Sequence, residues 1–257
     1  MNDCGLAGAG VLVTRPINQS ASLVKAIEKI GGAPLVFPGV EIVELQKPEI
    51  LSALGPMSVV DMLVFVSPTA VRVAMKSIAD MRCLPGSVQV AAVGQSTAAE
   101  LKKYGVREIL VPEQGSGGDA LLAGARLQAI DGQSVLLVSG EGGSDALASV
   151  LKQRGALVSV LKCYRRTLPD SHFEQIEPLL RDGRIAAWTA TSGEILDNLF
   201  SIAGNRGDLL QNTPLFVNHS HVAGRGYSRA VKTIFVCAGG DAGLASGLAK
   251  WFCRRRL

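Results

Sequence analysis

The sequence has few of the residues that build metal centres. It contains three histidines in 257 residues, and aromatic side chains make up 5% of the total. The five cysteines are scattered without C-x-x-C or other metal-ligand spacing. Structural zinc sites need clusters of such ligands. We therefore expect no metal site, and we expect the cysteines to be reduced thiols.

Long apolar runs are also missing. No stretch of about eighteen residues lacks charged and polar side chains, so no transmembrane helix is expected. The first ten residues carry an acidic side chain and no basic one, which is not typical of a secretory signal. The net charge is only +4, and residues 254–256 form the one cationic cluster, which favours a solvated terminus over a nucleic-acid site. We expect a cytoplasmic, monomeric protein that binds neither membranes nor nucleic acid.

The sequence lacks the phosphate-binding signatures of nucleotide enzymes. Residues 140–145 begin like G-x-G-x-x-G, but Asp145 stands where the third glycine belongs. The following strand ends in Lys162-Cys163 and not in an acidic residue for a ribose. No G-x-x-x-x-G-K-[ST] motif occurs either. We therefore expect no nucleotide and no other cofactor.

The sequence does contain short apolar strands that alternate with amphipathic helices. The run 135–138 precedes a glycine-rich turn, and Ser144 or Asp145 can cap the helix that follows. Gly155 ends this helix, and 157–161 is the next apolar strand. Further strands are predicted at 11–13, 35–37, 62–66, 88–93 and 109–111, and a capping box at Thr97 and Glu100 predicts a helix start. This alternation is typical of an α/β fold with parallel sheets.

The second half of the chain repeats the order of the first. The strand 11–13 corresponds to 136–138, and 109–111 corresponds to 234–236. The helix-ending Gly32 likewise corresponds to Gly155, and the offset is about 124 residues throughout. An almost constant offset over nearly the whole length predicts two similar α/β lobes.

Four turns lie where parallel sheets bind ligands, beyond the carboxyl ends of strands and at the starts of helices. Their backbone N–H groups and hydroxyls suit a carboxylate or a phosphate. Any one such turn is more often a simple helix cap, but four of them together predict a site for a polyanion. The candidate ligand-binding residues in these turns are Ser67, Thr69, Gly94, Ser96, Thr97, Gly140, Gly142, Thr191 and Ser192.

Several short motifs follow one another over nearly the whole chain. They are Val13-Thr14-Arg15-Pro16, Phe65-Val66-Ser67-Pro68-Thr69-Ala70-Val71, Val93-Gly94 with Thr97-Ala98 and Leu101, Arg154-Gly155-Ala156, Tyr164-Arg165-Arg166 and Thr191-Ser192. Their order and spacing resemble the uroporphyrinogen-III synthase family, the cyclising enzymes of tetrapyrrole (porphyrin and heme) biosynthesis. Val66 departs from the family pattern, which usually has threonine at that position.

The resemblance implies two flavodoxin-like parallel-sheet lobes that face a cleft and are joined by a two-strand hinge. Lobe one would combine residues 1–37 and 168–257, and lobe two would be 39–166. The hinge segments would lie near 38–42 and 161–168. A division at mid-chain is the alternative that the sequence leaves open.

The resemblance also implies a substrate and site residues. The family closes hydroxymethylbilane, a linear tetrapyrrole with eight carboxylates, to uroporphyrinogen III with inversion of the last pyrrole and loss of water, without a cofactor. Tyr164 matches the hinge tyrosine that serves as a general acid, and a packed structural tyrosine is the alternative. Thr14, Arg15 and Arg165 are further substrate-binding candidates. A two-lobed small-anion binding protein without catalysis is the alternative function.

Overall fold

The computed structural model describes residues 5–54, 59–79, 86–143 and 145–254. Ser144, a candidate helix cap, and Arg255 and Arg256 of the cationic cluster lie outside the described residues. The chain divides into two compact units: unit 1 is Met1–Glu41 with Thr167–Leu257, and unit 2 is Ile42–Arg166. In the described ranges, no helix is long and apolar enough to cross a membrane.

Strands and helices alternate along both units, as the sequence predicts. The strands are β1 (Gly10–Val13), β2 (Ala33–Val36), β3 (Glu41–Glu44), β4 (Met62–Phe65), β5 (Gln89–Ala92), β6 (Ser134–Gly140), β7 (Leu157–Thr167), β8 (Ile185–Ala190), β9 (Leu215–Val217) and β10 (Ile234–Val236). The helices are α1 (Ala21–Lys29), α2 (Lys47–Leu54), α3 (Pro68–Ala79), α4 (Gln95–Lys103), α5 (Gly118–Leu122), α6 (Ala125–Gln128), α7 (Ala146–Gln153), α8 (Glu177–Arg181), α9 (Gly193–Ala203), α10 (Gly207–Asn212), α11 (Ser220–Ser228) and α12 (Gly240–Arg254).

Unit 1 is built on a five-stranded sheet with the order β10-β9-β8-β1-β2. Its strands pair in parallel. Numbered within the unit, this order is 2-1-3-4-5, the flavodoxin-like arrangement. Val11 and Val13 of β1 face a core that includes Leu23 of α1 and Leu244 of α12, and both helices cover one face of the sheet.

Unit 2 has a second sheet with the order β3-β7-β6-β4-β5. Strand β6 lies in its middle and pairs in parallel with β4 and with β7. Leu136 and Val138 enter one buried cluster, whereas Val135 and Leu137 enter the cluster on the opposite face. A strand buried on both faces needs the uninterrupted apolar run that the sequence has here.

The predicted repeat has a structural counterpart in the two sheets. Strands β1 and β6 occupy equivalent interior places, and β8 and β4 are their equivalent neighbours. The equivalence ends at 109–111, which the sequence predicts as a strand. In unit 2, Leu110 forms only an isolated parallel bridge to Ala91 of β5. At the corresponding place in unit 1, the strand β10 pairs with β9. The strand prediction was wrong because a run of three apolar residues does not ensure a full ladder.

Two further sequence-based expectations are corrected by the structure. Helix α4 begins after Gly94, and Thr97 lies inside it on the buried face, so the capping box at Thr97 was wrong. The prediction failed because a threonine and a glutamate inside a helix can have the same three-residue spacing as a capping box. Cys163 and Cys237 are free thiols, but Cys253 is disulfide-bonded, so the expectation that all cysteines are reduced was also wrong.

We predict that Gly155→Ala destabilises the protein more than Gly105→Ala. Both glycines directly follow a helix and have similar positive φ values, 86° and 81°. An alanine in this region costs about 1 kcal/mol from backbone strain alone. A Cβ at Gly155 would also collide with the Asp131 carboxylate, whereas the space around Gly105 is open. The check is urea unfolding of both variants; equal losses would show that the steric contact contributes nothing.

Candidate active site

Ser67 lies at the carboxyl end of β4, where the chain turns into α3. Its Oγ accepts a hydrogen bond from the Ala70 N–H at 3.0 Å, and Pro68 is the first residue of the helix. This is the arrangement that a serine cap followed by proline predicts. The same hydroxyl lies 3.2 Å from the Tyr164 hydroxyl. The helix cap therefore also fixes the position of the tyrosine.

Tyr164 owes its position to an irregularity between β6 and β7. Ser139 pairs with Lys162, but the next residue, Gly140, pairs with Tyr164, so that Cys163 is the extra residue. Such a bulge bends a strand and re-aims its side chains. Tyr164 is only 3% exposed, and its hydroxyl has a hydrogen-bond partner, as a buried phenol requires.

Gly140 provides the space that the Tyr164 ring occupies. A Cβ built on Gly140 would lie 2.5 Å from the Cζ atom of the ring and 2.6 Å from Cε2. The backbone after Gly140 is tied to the same residue, because the Glu141 N–H donates to the Tyr164 carbonyl at 2.7 Å. The glycine of this turn therefore makes room for a tyrosine, whereas the sequence pattern predicts room for a ligand.

A cavity of about 400 Å³ opens beside these residues, and all of its described lining residues belong to unit 2. Two cations line it, Lys162 and Arg166, and the Arg166 guanidinium carbon lies 5.9 Å from the centre of the Tyr164 ring. Three carboxylates, those of Asp119, Glu141 and Asp145, also line it. The cavity therefore places a phenol beside side chains of both charge signs, and its size and polarity suit one end of a polar small molecule.

The cavity brings together three of the residues predicted from the sequence, namely Ser67, Gly140 and Tyr164. The other unit 2 candidates lie outside its lining: they are Thr69, Gly94, Ser96, Thr97, Gly142 and Arg165. Thr69 and Thr97 have buried side chains, because they lie on the inward faces of α3 and α4. The sequence analysis did not identify Ser139 and Lys162, which also line the cavity. The two residues come together through the pairing of β6 with β7, and the sequence does not predict that register.

Three of the four candidates of unit 1 have local roles in this structure. The Thr14 hydroxyl donates to the Thr189 carbonyl, and the side chain is fully buried. Arg15 forms an ion pair with Asp241, in the first turn of α12, at 2.7 Å. Ser192 caps α9 by accepting from the Ile195 N–H at 3.2 Å, and Thr191 precedes it. Arg15 is therefore charge-compensated, and Ser192 has the helix-cap role that the sequence predicts.

A family model described as uroporphyrinogen-III synthase HemD matches residues 21–237. The chain belongs to the uroporphyrinogen-III synthase family. The uroporphyrinogen-III synthase of Proteus mirabilis is 31% identical over 193 residues, which cover 74% of this chain and 97% of that protein. A putative uroporphyrinogen-III synthase of Methanothermobacter thermautotrophicus is 33% identical over 200 residues, covering 76% and 78%.

Solved uroporphyrinogen III synthase structures share the fold. A mutant enzyme from the extremely thermophilic bacterium Thermus thermophilus matches with a TM-score of 0.61 at 20% identity, covering 97% of this chain and all of that one. The enzyme from Helicobacter pylori matches with a TM-score of 0.58 at 12% identity, covering 95% and 99%. The predicted α/β fold with two similar parallel-sheet lobes is confirmed.

Membership in the uroporphyrinogen-III synthase family decides between the two functions that the sequence left open. The family consists of cyclising lyases of porphyrin biosynthesis that act on a small molecule. The chain is therefore an enzyme of this class, and the interpretation as a binding protein without catalysis is not supported.

Cys163, the extra residue of the bulge, is a nucleophile by residue type but not by environment. It is fully buried, and its Sγ lies 3.4 Å from the Ser139 carbonyl, to which the thiol donates. Burial raises the pKa of the thiol to about 12. A thiolate is therefore almost absent at neutral pH. Because the thiolate is the reactive form of cysteine, Cys163 does not act as a nucleophile in this enzyme.

We predict that iodoacetamide does not modify Cys163 in the folded protein at pH 8. At about four pH units below the pKa, roughly one thiol in ten thousand is ionised, and burial also blocks the reagent. Mass spectrometry after alkylation should find Cys163 unmodified in buffer and fully modified in urea. Rapid native modification would contradict the burial described here.

Proposed function

We propose that the protein converts hydroxymethylbilane to uroporphyrinogen III, with inversion of the last pyrrole ring and loss of water. Family membership supports the reaction class. The observation that carries the assignment of the site is the Tyr164 hydroxyl, which Ser67 holds at 3.2 Å beside a cavity with two cationic groups. Tyr164 is the proposed general acid.

The size of the cavity suggests which part of the substrate it receives. About 400 Å³ lies toward the small end of the range for small-molecule sites. A whole tetrapyrrole with eight carboxylate arms exceeds that space. We therefore place in it the terminal pyrrole that carries the leaving hydroxyl, with its acetate and propionate groups close to Lys162 and Arg166.

The chemistry assigned to Tyr164 is one proton transfer in each direction. The phenol donates its proton as the C–O bond of the hydroxymethyl group breaks, so that water leaves and an electrophilic azafulvenium cation remains, with its N–H retained, beside the phenolate. The last pyrrole then attacks through its substituted carbon, and the resulting spiro intermediate reopens and closes with that ring reversed. The proton that the pyrrole loses on ring closure returns to the phenolate. General acid catalysis of this kind contributes about 10²–10⁴ in rate.

Carboxylate binding is assigned to helix N-termini and to cations. Backbone N–H groups in the first turn of a helix bind anions well. Thr69 and Thr97 lie in the first turns of α3 and α4, and because their side chains are buried, we propose contacts through their N–H groups. The remaining proposed contacts are those of Thr14, Arg15, Ser67, Gly94, Ser96, Gly140, Gly142, Arg165, Thr191 and Ser192. We also propose that the enzyme works as a cytoplasmic monomer that binds no nucleic acid.

We predict that Tyr164→Phe lowers kcat for uroporphyrinogen III formation by about 100-fold and leaves KM within about threefold. The phenyl ring fills the same space beside Gly140, so only the hydroxyl is lost. The assay supplies freshly made hydroxymethylbilane and separates the product isomers by chromatography. Tyr227→Phe is the matched control, because Tyr227 lies on α11 in unit 1 and is 62% exposed.

The outcome of this assay separates the alternatives. An unchanged kcat in Tyr164→Phe would remove Tyr164 as the acid and leave it as a packed structural residue. A wild-type chain that gives only the uninverted isomer, at the spontaneous rate, would refute the proposed reaction itself.

We predict that Asp241→Asn lowers KM for hydroxymethylbilane by about two- to fivefold. If Arg15 binds a substrate carboxylate, Asp241 competes for the same guanidinium at 2.7 Å. A partly exposed ion pair of this kind contributes about 1 kcal/mol or less, so its loss changes binding only modestly. Steady-state kinetics of Asp241→Asn and of the double variant with Arg15→Gln are the test. A lower KM in both would show that the effect does not act through Arg15.

A further inference from the structure

We propose that the Ser139 hydroxyl is a substrate-positioning group that donates a hydrogen bond to a carboxylate arm of the pyrrole in the cavity. This inference rests on the proposed function and adds a residue to its site. Ser139 lies at the carboxyl end of β6, next to Gly140, and lines the cavity with Lys162 and Tyr164.

The observation behind the proposal is a hydroxyl without a partner. Ser139 is 7% exposed, and its Oγ is buried and has no hydrogen-bond partner among the described residues. Leaving such a group unsatisfied costs about 1–3 kcal/mol. Buried polar groups in folded proteins nearly always have partners, so an exception in a residue of the cavity wall points to a partner that arrives with the ligand. Because the Oγ is itself buried, the proposal includes a rotation of the serine side chain about χ1 that turns the hydroxyl toward the cavity.

The repeat supplies an internal comparison. Thr14 follows β1 at the place that Ser139 holds in β6, one residue beyond the matching runs 11–13 and 136–138. The Thr14 hydroxyl donates to the Thr189 carbonyl on the neighbouring strand β8. The same position of the fold therefore allows a hydroxyl to be satisfied by the protein. In unit 2 the hydroxyl at this position is left for another acceptor.

The residue opposite Ser139 indicates what that acceptor is. Ser139 and Lys162 are direct partners across β6 and β7, and both line the cavity. Directly opposite residues present their side chains on the same face of a sheet. An uncharged donor next to an ammonium group suits a carboxylate. Lys162 now contacts Asp145 at 3.3 Å, but that carboxylate is 78% exposed, so the pair is weak enough to be replaced.

The test is Ser139→Ala, examined by steady-state kinetics with freshly made hydroxymethylbilane and by thermal unfolding. We expect KM to rise about tenfold, the loss of one hydrogen bond to a charged group. We expect kcat to change less than threefold and the Tm to stay the same or rise, since an unsatisfied buried hydroxyl is removed. Ser149→Ala is the control: Ser149 is exposed on α7 and does not line the cavity.

Each result has a defined meaning. A lower Tm in Ser139→Ala would show that the hydroxyl has a structural partner, and the inference would fall. An unchanged KM with an active wild type would also overturn it, while the proposed function would stand. A wild-type chain that forms no uroporphyrinogen III would overturn the proposed function, and this inference with it.

Discussion

The burial of β1 and β6 on both faces is the constraint on which the rest of the structure depends. A parallel strand in the middle of a sheet must have helices on both sides, and those helices must start at the carboxyl edge. All turns that connect a strand to a following helix therefore collect at one edge of each sheet. The edge of unit 2 holds Ser67, Ser139 and Gly140, and they meet there because β4 and β6 pair in parallel.

A second, local constraint shapes the proposed site at this edge. The bulge at Cys163 places Tyr164 against Gly140, and a side chain of any size at residue 140 would displace the ring. The tyrosine hydroxyl then reaches the serine that caps α3. Three ordinary devices, namely a bulge, a glycine and a helix cap, thus fix one phenol without any strained backbone angle at those residues. Fixing the phenol in advance is useful where orientation is the main contribution to catalysis.

The sequence predicted the features that depend on local patterns. Apolar runs and helix-ending glycines predicted most of the strands, and the constant offset predicted two similar lobes. It failed where one local pattern fits two structures, as at Thr97, and where the outcome depends on pairing within the sheet, as at Leu110. Thr97 has the spacing of a capping box, but Gly94 starts the helix first; Leu110 has the pattern of a strand, but forms one bridge. The proposed site residues divide in the same way. Ser67 has a local signature, whereas Ser139 is identified only by its pairing with Lys162 and by the lack of a hydrogen-bond partner among the described residues.

The two copies of the repeat distribute stability and function differently. In unit 1, polar side chains at the sheet edge have partners within the protein: Thr14 donates a hydrogen bond to a neighbouring strand, Ser192 caps a helix, and Arg15 forms an ion pair with Asp241. In unit 2 the buried Ser139 hydroxyl, beside the cavity, has no hydrogen-bond partner in the part of the chain that the structure describes. An unsatisfied group lowers the stability of the free protein, and that cost is recovered only when a ligand supplies the partner. This departure from symmetry between two otherwise similar sheets is the reason why we propose the substrate site at the edge of unit 2.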